Sequence, residues 1–366
     1  MKFRYKVATA LLFAIVSSLS ALALTVGYTS ACEPAANSAP SAATMKAISY
    51  RCYGPPAVLE YNDIPRPEPG DTELLVKVAS ASVNPTDWHY MRGSPYLLRL
   101  MSGIGAPQDS RLGVDFAGTV EAVGNMVAKF KVGDRVYGGT TGAFAEYLTV
   151  DQSRSVSPVP DDISLAQASS VPIAGVSALQ ALRDKGGLKP GQKVLINGAS
   201  GGVGTFAVQI AKAMGAEVSG VCSTRNIKLV KSIGADHVFD YTRENYTEND
   251  KKYDLIIDNV GNHSLLANRS ILTPNGRLVI VGGAKGNWIA PLITPIKAMI
   301  ISPFFDQKFL SLFAKMNQQD LTILAEMMDS GAVVPVIDVE YPLAEAADAI
   351  AYSESGRARG KILLTM

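Results

Sequence analysis

The stretch KVLINGASGGVGTFAVQIAKAMG, residues 193–215, decides the fold of this chain. Lys193–Asn197 is strand-like, a glycine-rich turn follows, and the residues after the turn are typical of an amphipathic helix. Gly215 stands where a glycine commonly ends a helix. A strand, a glycine turn and a helix in this order predict a βαβ unit that binds a dinucleotide. The apolar face of the helix is formed by Val203, Phe206, Ala207, Ile210 and Met214.

The glycine-rich turn supplies the predicted pyrophosphate site. Its glycines let the backbone turn tightly and approach a pyrophosphate at the positive end of the following helix. The usual pattern of three glycines begins here with an alanine. The predicted cofactor-binding residues of the turn are Ala199, Ser200, Gly201, Gly202, Val203 and Gly204.

The next strand, Glu217–Cys222, ends without the Asp or Glu that NAD enzymes place there to bind the ribose diol. Ser223, Thr224 and Arg225 stand at this point instead. Hydroxyls and a guanidinium suit a 2′-phosphate, and a charge-assisted bond to phosphate contributes roughly 1.5–3 kcal/mol. The sequence therefore predicts NADPH as the cofactor in preference to NADH.

Strand-like and helical patterns alternate after this unit, which predicts an α/β fold with a parallel sheet covered on both faces. Residues 46–150 instead hold short β-like runs broken by Gly and Pro, which predicts a compact β-rich unit. The apolar stretch 284–318 is interpreted as an irregular core or subunit-contact segment. Its alternatives are a flap over the substrate and a patch that lies on a membrane.

Composition excludes some classes of function. The 366 residues carry a net charge of +1 and no basic block, so nucleic acid is not expected as a main partner. The three cysteines have neither paired nor C-x-x-C spacing, which predicts no disulfide framework and no structural zinc site. Cys52 and Cys222 are expected to be buried thiols.

The N-terminus predicts a hydrophobic helix in a membrane. Lys2, Arg4 and Lys6 precede an uncharged run, residues 7–29, that is long enough to span a bilayer. Residues 1–31 are therefore a membrane anchor or signal segment, and residues 32–44 a flexible linker. A weak lipoprotein-like box before Cys32 leaves a lipoprotein or a secreted form as alternatives. The charges favour an enzyme outside the cytoplasm, whereas its cofactor favours the inside, so the side of the membrane stays open.

Residues 191–204, continued to Gln209 and Lys212, resemble the signature of quinone oxidoreductases and zeta-crystallins, which are zinc-independent medium-chain dehydrogenases/reductases. Segments 82–87, 113–118 and 142–147 extend the resemblance over nearly everything from Met45 onward. The resemblance implies a GroES-like catalytic domain formed by residues 45–172 and 331–366, a Rossmann domain formed by residues 173–330, and a homodimer.

The resemblance also assigns further cofactor residues. Tyr241 matches a tyrosine that helps to hold the 2′-phosphate. The nicotinamide half of the cofactor is expected to border on Asn259, Val260, Gly261 and Gly282.

No metal site is predicted. Zinc-dependent relatives carry a catalytic cysteine and a Gly-His-Glu motif; here Asn84 or its neighbour corresponds to the cysteine, and Gly113-Val114-Asp115 to the motif. Without a Lewis acid to stabilise an alkoxide, the suitable hydride acceptor is one that delocalises the charge itself. The predicted reaction is hydride transfer from NADPH to a quinone or an α,β-unsaturated carbonyl.

The candidate catalytic residues lie in the segment 84–96. Asn84 is expected to donate an amide hydrogen bond to the developing enolate, and Asp87 to orient a neighbour. The proton donor is left open between His89, Tyr90 and Tyr96. Two alternative functions also stay open: an NADP-dependent alcohol dehydrogenase or ketone reductase, and a non-catalytic, membrane-tethered NADPH-binding protein.

Overall fold

The computed structural model describes residues 13, 17–18, 20–32, 43–283, 286–288 and 290–366. The strands, in chain order, are β1 (Thr44–Ser49), β2 (Glu60–Pro65), β3 (Glu73–Val83), β4 (Asp115–Val123), β5 (Arg135–Gly139), β6 (Tyr147–Asp151), β7 (Val156–Pro158), β8 (Lys193–Asn197), β9 (Glu217–Cys222), β10 (His237–Asp240), β11 (Tyr253–Asp258), β12 (Leu272–Ile280), β13 (Lys308–Ser311), β14 (Ile337–Pro342) and β15 (Lys361–Thr365).

The helices lie between these strands and on the faces of the sheets. They are α1 (Pro85–Arg92), α2 (Arg99–Ser102), α3 (Leu165–Ser169), α4 (Pro172–Gln180), α5 (Gly202–Ala213), α6 (Ile227–Ser232), α7 (Leu265–Ser270), α8 (Ala290–Ile301), α9 (Gln318–Asp329) and α10 (Ala346–Glu354).

The central domain is built on a parallel sheet in the order β10-β9-β8-β11-β12-β13. Successive residues of a strand enter the cores on opposite faces: Leu195 and Ile256 pack on one face, Ile196 and Ile257 on the other. Burial of both faces explains why these strands read as unbroken apolar runs. The order of the strands reverses between β8 and β11, the point at which sheets of this kind bind their ligand.

The catalytic domain takes its strands from both ends of the chain. Its sheet has the order β14-β15-β3-β4-β5-β7, and β6 pairs with β3 on a second branch. β15, which lies near the C-terminus, is antiparallel to β3, and Leu363 there pairs with Ser82. The α/β fold with a GroES-like and a Rossmann domain is therefore confirmed.

The stretch 284–318 is more regular than its sequence indicates. Residues 290–301 form α8, with Pro295 inside the helix, and β13 joins the edge of the parallel sheet. Three prolines at 291, 295 and 303 conceal the helix from a periodicity analysis because proline usually ends or kinks helices. β13 is only four residues long and gives little alternation to detect.

Only part of the predicted membrane anchor lies within the described residues. Residues 20–27 are helical, whereas residues 1–12 and the linker residues 33–42 are outside the described parts of the chain. Among the residues that are described, no helix combines the length and apolar character needed to cross a bilayer.

The prediction that the chain has no disulfide is wrong. Cys32 and Cys52 are joined by a disulfide, and their Cα atoms lie 5.0 Å apart. The pairing depends on how residues 26–32 fold back onto the catalytic domain, which no cysteine spacing reveals. Cys222 is a buried free thiol, as expected.

Candidate active site

A cavity of about 570 Å³ lies between the two domains at the carboxyl ends of β8 and β9. The Rossmann domain contributes the glycine-rich turn and the residues that follow β9 and β11. The catalytic domain contributes Asn84 and the segment from Gly356 to Ile362. Gly360 donates its N–H to the Ser200 carbonyl at 2.9 Å, which joins the two domains directly beside the cavity.

The glycine-rich turn has the geometry of a pyrophosphate cradle. Gly198 has φ +78°, a conformation that side chains with a Cβ rarely adopt. A Cβ on Gly204 would lie 2.1 Å from the Gly198 carbonyl oxygen, so this glycine lets α5 start close to β8. At Gly201 the nearest protein atom would be 3.5 Å away, which leaves room for a ligand. The N-terminus of α5 therefore faces an open space that suits a pyrophosphate.

Two buried polar atoms in the cavity wall lack a partner and support the fit of a dinucleotide. Among the described residues, the side-chain oxygens of Asn226 and Asn259 are buried without a hydrogen bond. Buried polar atoms are normally paired, so each is suited to accept a hydrogen bond from a ligand. Asn226 also donates to Ser200 Oγ at 2.9 Å and thereby orients a hydroxyl of the turn.

The adenosine end of the cavity contains two guanidinium groups. Ser223, Arg225 and Tyr241 line this end, as predicted, and Arg357 joins them. Arg225 donates from Nη2 to the Arg357 carbonyl oxygen at 2.7 Å, which holds the Arg225 guanidinium against the backbone of Arg357. Arg357 was not predicted, because a second domain brings it here from 132 residues further along the chain.

Thr224 does not line the cavity, in contrast to its prediction as a phosphate ligand. Its hydroxyl donates to Asp240 Oδ2 at 2.5 Å. That hydrogen bond is the main reason why the pKa of Asp240 lies below its usual range. The Thr224 hydroxyl, which the sequence assigns to the cofactor, therefore donates its hydrogen bond to Asp240 instead.

The other predicted cofactor residues divide into two groups. Ala199, Gly261 and Gly282 do not line the cavity: Ala199 is fully buried, and the Gly261 N–H donates to Asp258 Oδ1. A Cβ on Gly282 would lie 2.1 Å from the Asn259 carbonyl oxygen, so this glycine supports the Asn259 loop. Those that line the cavity are Ser200, Gly201, Gly202, Val203, Gly204, Ser223, Arg225, Tyr241, Asn259 and Val260.

A buried charged cluster closes the cavity on the catalytic side. Lys361, only 3% exposed, donates from Nζ to Asn84 Oδ1 at 2.6 Å and lies 3.6 Å from Asp115 Oδ2. Asp115 also accepts hydrogen bonds from Ser82 Oγ and from the Ile173 N–H at the start of α4. Burial raises the pKa of Asp115 and lowers that of Lys361, although each opposes this effect in the other.

This cluster changes the role expected for Asn84. Its amide nitrogen donates to the Ser82 carbonyl at 3.1 Å and to Asp115 Oδ2 at 2.9 Å, which uses both amide hydrogens. Its oxygen accepts from Lys361. Asn84 lines the cavity, as predicted, but it has no free donor for a substrate and instead positions Lys361 and Asp115.

A second cavity, of about 390 Å³, adjoins the first and shares Ile173 with it. Asp87 and Tyr90 of α1 line this second cavity, as do Met101 and Ser102 of α2. Asp87 is buried and accepts a hydrogen bond from the Asn84 N–H at 2.7 Å. Burial, together with the nearby Asp115, raises the pKa of Asp87 to about 8, so its carboxyl group is protonated at neutral pH.

Comparison with known proteins agrees with this architecture. Residues 70–161 match the family model described as alcohol dehydrogenase GroES-like domain, and residues 233–364 match the one described as zinc-binding dehydrogenase. The chloroplast envelope quinone oxidoreductase homolog of Arabidopsis thaliana is 35% identical over 87% of this chain and 98% of its own length. The chain belongs to the quinone oxidoreductase family of the medium-chain dehydrogenases/reductases.

Two further relatives describe the breadth of this family. The 2-methylene-furan-3-one reductase of Solanum lycopersicum is 32% identical over 87% of this chain and 79% of its own length. The solved structure of the quinone oxidoreductase from Coxiella burnetii superposes with a TM-score of 0.79 at 30% identity, covering 88% of this chain and all of the other.

The residues of this quinone oxidoreductase family member do not fit a catalytic zinc ion. Such an ion needs three protein ligands, and the described residues contain no group of three or more His, Cys, Asp or Glu side chains that could hold a metal. Asn84 and Asp115 are the residues that the resemblance relates to the zinc motifs, and the Lys361 ammonium group lies against both. A side-chain cation therefore occupies this part of the quinone oxidoreductase site.

The remaining candidates for the proton donor lie outside both cavities. His89 Nδ1 is 2.6 Å from the Ser94 carbonyl oxygen, and its ring stacks on Trp88 with centroids 3.7 Å apart. Tyr96 packs edge-on against Trp288. Of the residues proposed for proton transfer, Tyr90 alone lines the second cavity, where it accompanies Asp87.

Proposed function

We propose that this chain catalyses the NADPH-dependent reduction of a quinone or an α,β-unsaturated carbonyl without a metal ion. The observation that carries the proposal is the second cavity, where Asp87, whose pKa burial raises to about 8, and Tyr90 lie next to the cofactor cleft. The names of the relatives, quinone oxidoreductase and 2-methylene-furan-3-one reductase, support acceptors of this class.

The bound NADPH would supply the hydride. The glycine-rich turn and the N-terminus of α5 would hold its pyrophosphate, and the side-chain oxygens of Asn226 and Asn259 would accept hydrogen bonds from hydroxyl or amide groups of the NADPH. Arg225 and Arg357 bind the 2′-phosphate through charge-assisted hydrogen bonds. Preference for NADPH over NADH follows from these two guanidinium groups.

Asp87 supplies the proton. A carboxyl group with a pKa of about 8 is protonated at pH 7 and close to the value at which proton donation is most effective. It lies in the wall of the cavity that would hold the acceptor, so it is placed to donate to the enolate oxygen that forms after hydride addition. Tyr90 adds a second hydroxyl to the same wall.

The full chain, purified in detergent, tests this function in an assay of NADPH consumption with benzoquinones, enals and simple ketones, with and without a chelator. We expect turnover of quinones or enals that resists the chelator and that falls when NADH replaces NADPH. Turnover confined to ketones and lost with the chelator would show a metal-dependent alcohol dehydrogenase. Binding of NADPH without turnover of any acceptor would show a non-catalytic protein.

The proposal includes attachment to a membrane and a homodimer. The apolar run begins at Val7, and Thr25 is the last residue before Val26, which is buried against the protein. These 19 residues would span about 28 Å as a helix. This length matches a bilayer core of about 30 Å. Carbonate extraction of membranes tests the attachment, and light scattering of the purified protein tests the dimer.

The disulfide and the charges at the N-terminus favour the same side of the membrane. The Cys32–Cys52 disulfide is typical of an oxidising compartment. Lys2, Arg4 and Lys6 favour an N-terminus that stays in the cytoplasm. We therefore place the enzyme outside the cytoplasm, and proteolysis of intact cells followed by detection of the catalytic domain tests this placement.

A further inference from the structure

Residues 26–32, which follow the apolar run, are packed against the catalytic domain and bonded to it. Val26 is 1% exposed, and the Ser30 N–H donates to the Gly105 carbonyl at 2.9 Å. The Cys32–Cys52 disulfide closes the segment. The run therefore ends at a fixed place on the protein surface and not on a free linker.

A buried arginine holds this segment in place. Arg99 of α2 is 2% exposed and donates from Nη1 to the Tyr28 carbonyl at 2.6 Å and to the Val26 carbonyl at 3.2 Å. Its Nε donates to the Gly93 carbonyl, and its guanidinium stacks on the rings of Tyr53 and Tyr96. An arginine with this many partners fixes residues 26–28 against α2.

Three adjoining segments expose apolar side chains around this point, and we call them the entrance face: residues 22–28, 97–104, and 288 with 290–304. The first and third meet where Gly27 packs against Trp288, and the second joins them through Tyr96, whose ring contacts Trp288. The most exposed apolar side chains of the face are Leu24, Tyr28, Met101, Met299, Ile300 and Phe304. Monomers rarely leave a large contiguous apolar surface uncovered.

The charges of this face suit a lipid surface. The sequences 97–104 and 288–304 contain no acidic residue. They contain two basic residues: Arg99, which is buried, and Lys297, which is exposed. An acidic side chain would be repelled by anionic lipid headgroups, whereas lysine can extend to them.

The entrance face also borders the acceptor cavity. Met101 and Ser102 belong to the face and line the cavity that contains Asp87 and Tyr90. A molecule that leaves a bilayer at this face would therefore reach the proton donor by passing α2.

We propose that the entrance face lies against the lipid bilayer and that the acceptor cavity receives a lipophilic quinone or enone from it. The inference rests on the proposed reductase function for the identity of the acceptor. The bilayer is the occupant because the apolar run of residues 7–25 ends on this face, which brings the face to the boundary of any membrane that the run enters.

The two tryptophans of the chain, Trp88 and Trp288, give a direct test. Trp288 belongs to the entrance face, whereas Trp88 packs against the core of the catalytic domain. The full-length Trp88→Phe protein is reconstituted into phosphatidylcholine vesicles whose acyl chains carry bromine, which quenches tryptophan fluorescence on contact. We expect at least about twofold quenching, stronger for bromine near the headgroup, because surface-bound elements enter only about 5–10 Å. The Trp288→Phe protein, which keeps Trp88, is the control and should not be quenched.

A matched pair of methionines tests delivery of the acceptor. Met299 lies on the entrance face and Met126 on a distant loop, and both are largely exposed. Met299→Ser should raise the apparent KM for a long-chain quinone in vesicles by about fivefold. This factor corresponds to the loss of about 1 kcal/mol from apolar burial in the bilayer. The KM for a short, water-soluble quinone should not change, and Met126→Ser should change neither value.

Different failures are distinguishable. If the protein binds vesicles but Trp288 is not quenched, the inference about the entrance face is overturned and the reductase function is not. The inference is also overturned if Trp288 becomes less quenched as the protein concentration rises, because a second copy of the chain then covers this face. Protein that does not bind vesicles overturns both the face and the anchor. If Trp288 is quenched but no acceptor is turned over, the contact of the face with lipid is supported. The proposed reductase function is then wrong, and so is the delivery of an acceptor from the bilayer.

Discussion

The two ends of the cofactor cleft are built on opposite principles. At the adenosine end, Arg225 is exposed, and its guanidinium donates a hydrogen bond to the backbone carbonyl of Arg357. At the nicotinamide end, Asn84, Asp115 and Lys361 are almost fully buried and bonded to one another. An exposed end can exchange water for a phosphate at low cost, whereas a buried end must have its polar groups paired before any ligand arrives.

The difference in burial between the two ends indicates which residues can be replaced without loss of the fold. A side chain at the exposed end affects the cofactor alone, because water can take its place. A side chain at the buried end affects stability and chemistry together, because removal of one member leaves its partners unpaired.

The largest effect is expected for Lys361→Met. Asp115 loses the cation beside it, and removal of one partner from a buried ion pair typically costs about 3–5 kcal/mol of the free energy of unfolding. Urea denaturation monitored by circular dichroism measures the loss. Lys193→Met, at a half-exposed lysine, should change stability by less than about 0.5 kcal/mol. If Lys361→Met lowers the free energy of unfolding by less than about 1 kcal/mol, the buried and the exposed end of the cleft do not differ in the way described.

Asp87→Asn should lower kcat for an enal by about a hundredfold, because an amide cannot donate a proton as a general acid. The pKa of Asp87 is raised to about 8, so wild-type kcat/KM should fall as pH rises through that value and the carboxyl group loses its proton. The variant should lack this fall. The titratable groups around Asp87 include Tyr50, Tyr90, Asp109, Arg111, Asp115 and Lys361.

The control for this pH profile is Asp161→Asn at an exposed aspartate. It should keep both the wild-type rate and its fall above pH 8. An Asp87→Asn enzyme with full activity would transfer the role of proton donor to Tyr90.

At the exposed end, Arg225→Ala should raise the KM for NADPH by about tenfold to a hundredfold, the loss of a charge-assisted bond of about 1.5–3 kcal/mol. The KM for NADH, which lacks the 2′-phosphate, should change little, and so should stability. Arg154→Ala, at an exposed arginine of the catalytic domain, provides the control in the same steady-state assays. Equal effects on both cofactors would contradict the assignment of the 2′-phosphate site.

The smallest effect is expected for Thr224→Val. The hydroxyl donates to Asp240 and is not free to donate to a phosphate, so the KM for NADPH should change by no more than about threefold. The loss should appear in stability instead. Because the pKa of Asp240 is lowered in the folded protein, the stabilisation is present at neutral pH and is lost as pH falls through the titration of this carboxyl group. Thermal melts at pH 7 and at acidic pH measure the difference.

The sequence predicted the parts of the molecule that depend on local patterns. The strands β8 and β9 have the predicted bounds, and most residues of the glycine turn before α5 line the cofactor cavity. These features follow from periodicity and from backbone geometry that glycine alone permits, so neighbouring residues suffice to detect them.

The parts that were missed depend on contacts between distant residues. Lys361 and Arg357 reach the cleft because β15 is added to a sheet that begins near residue 73, and no local pattern marks them. Thr224 was assigned to the cofactor because Asp240, on the neighbouring strand, could not be placed beside it. The disulfide between Cys32 and Cys52 was missed for the same reason.

The central claim is that hydride goes to the far end of a conjugated acceptor and that the protein donates a proton to the oxygen. The most direct test uses NADPH that carries deuterium at the transferred position of C4, an enal as the acceptor, and the full chain as catalyst, with the product analysed by NMR. We predict a saturated aldehyde with deuterium at the β-carbon. An allylic alcohol with deuterium at its hydroxyl-bearing carbon would contradict the account and show that the enzyme is an alcohol dehydrogenase.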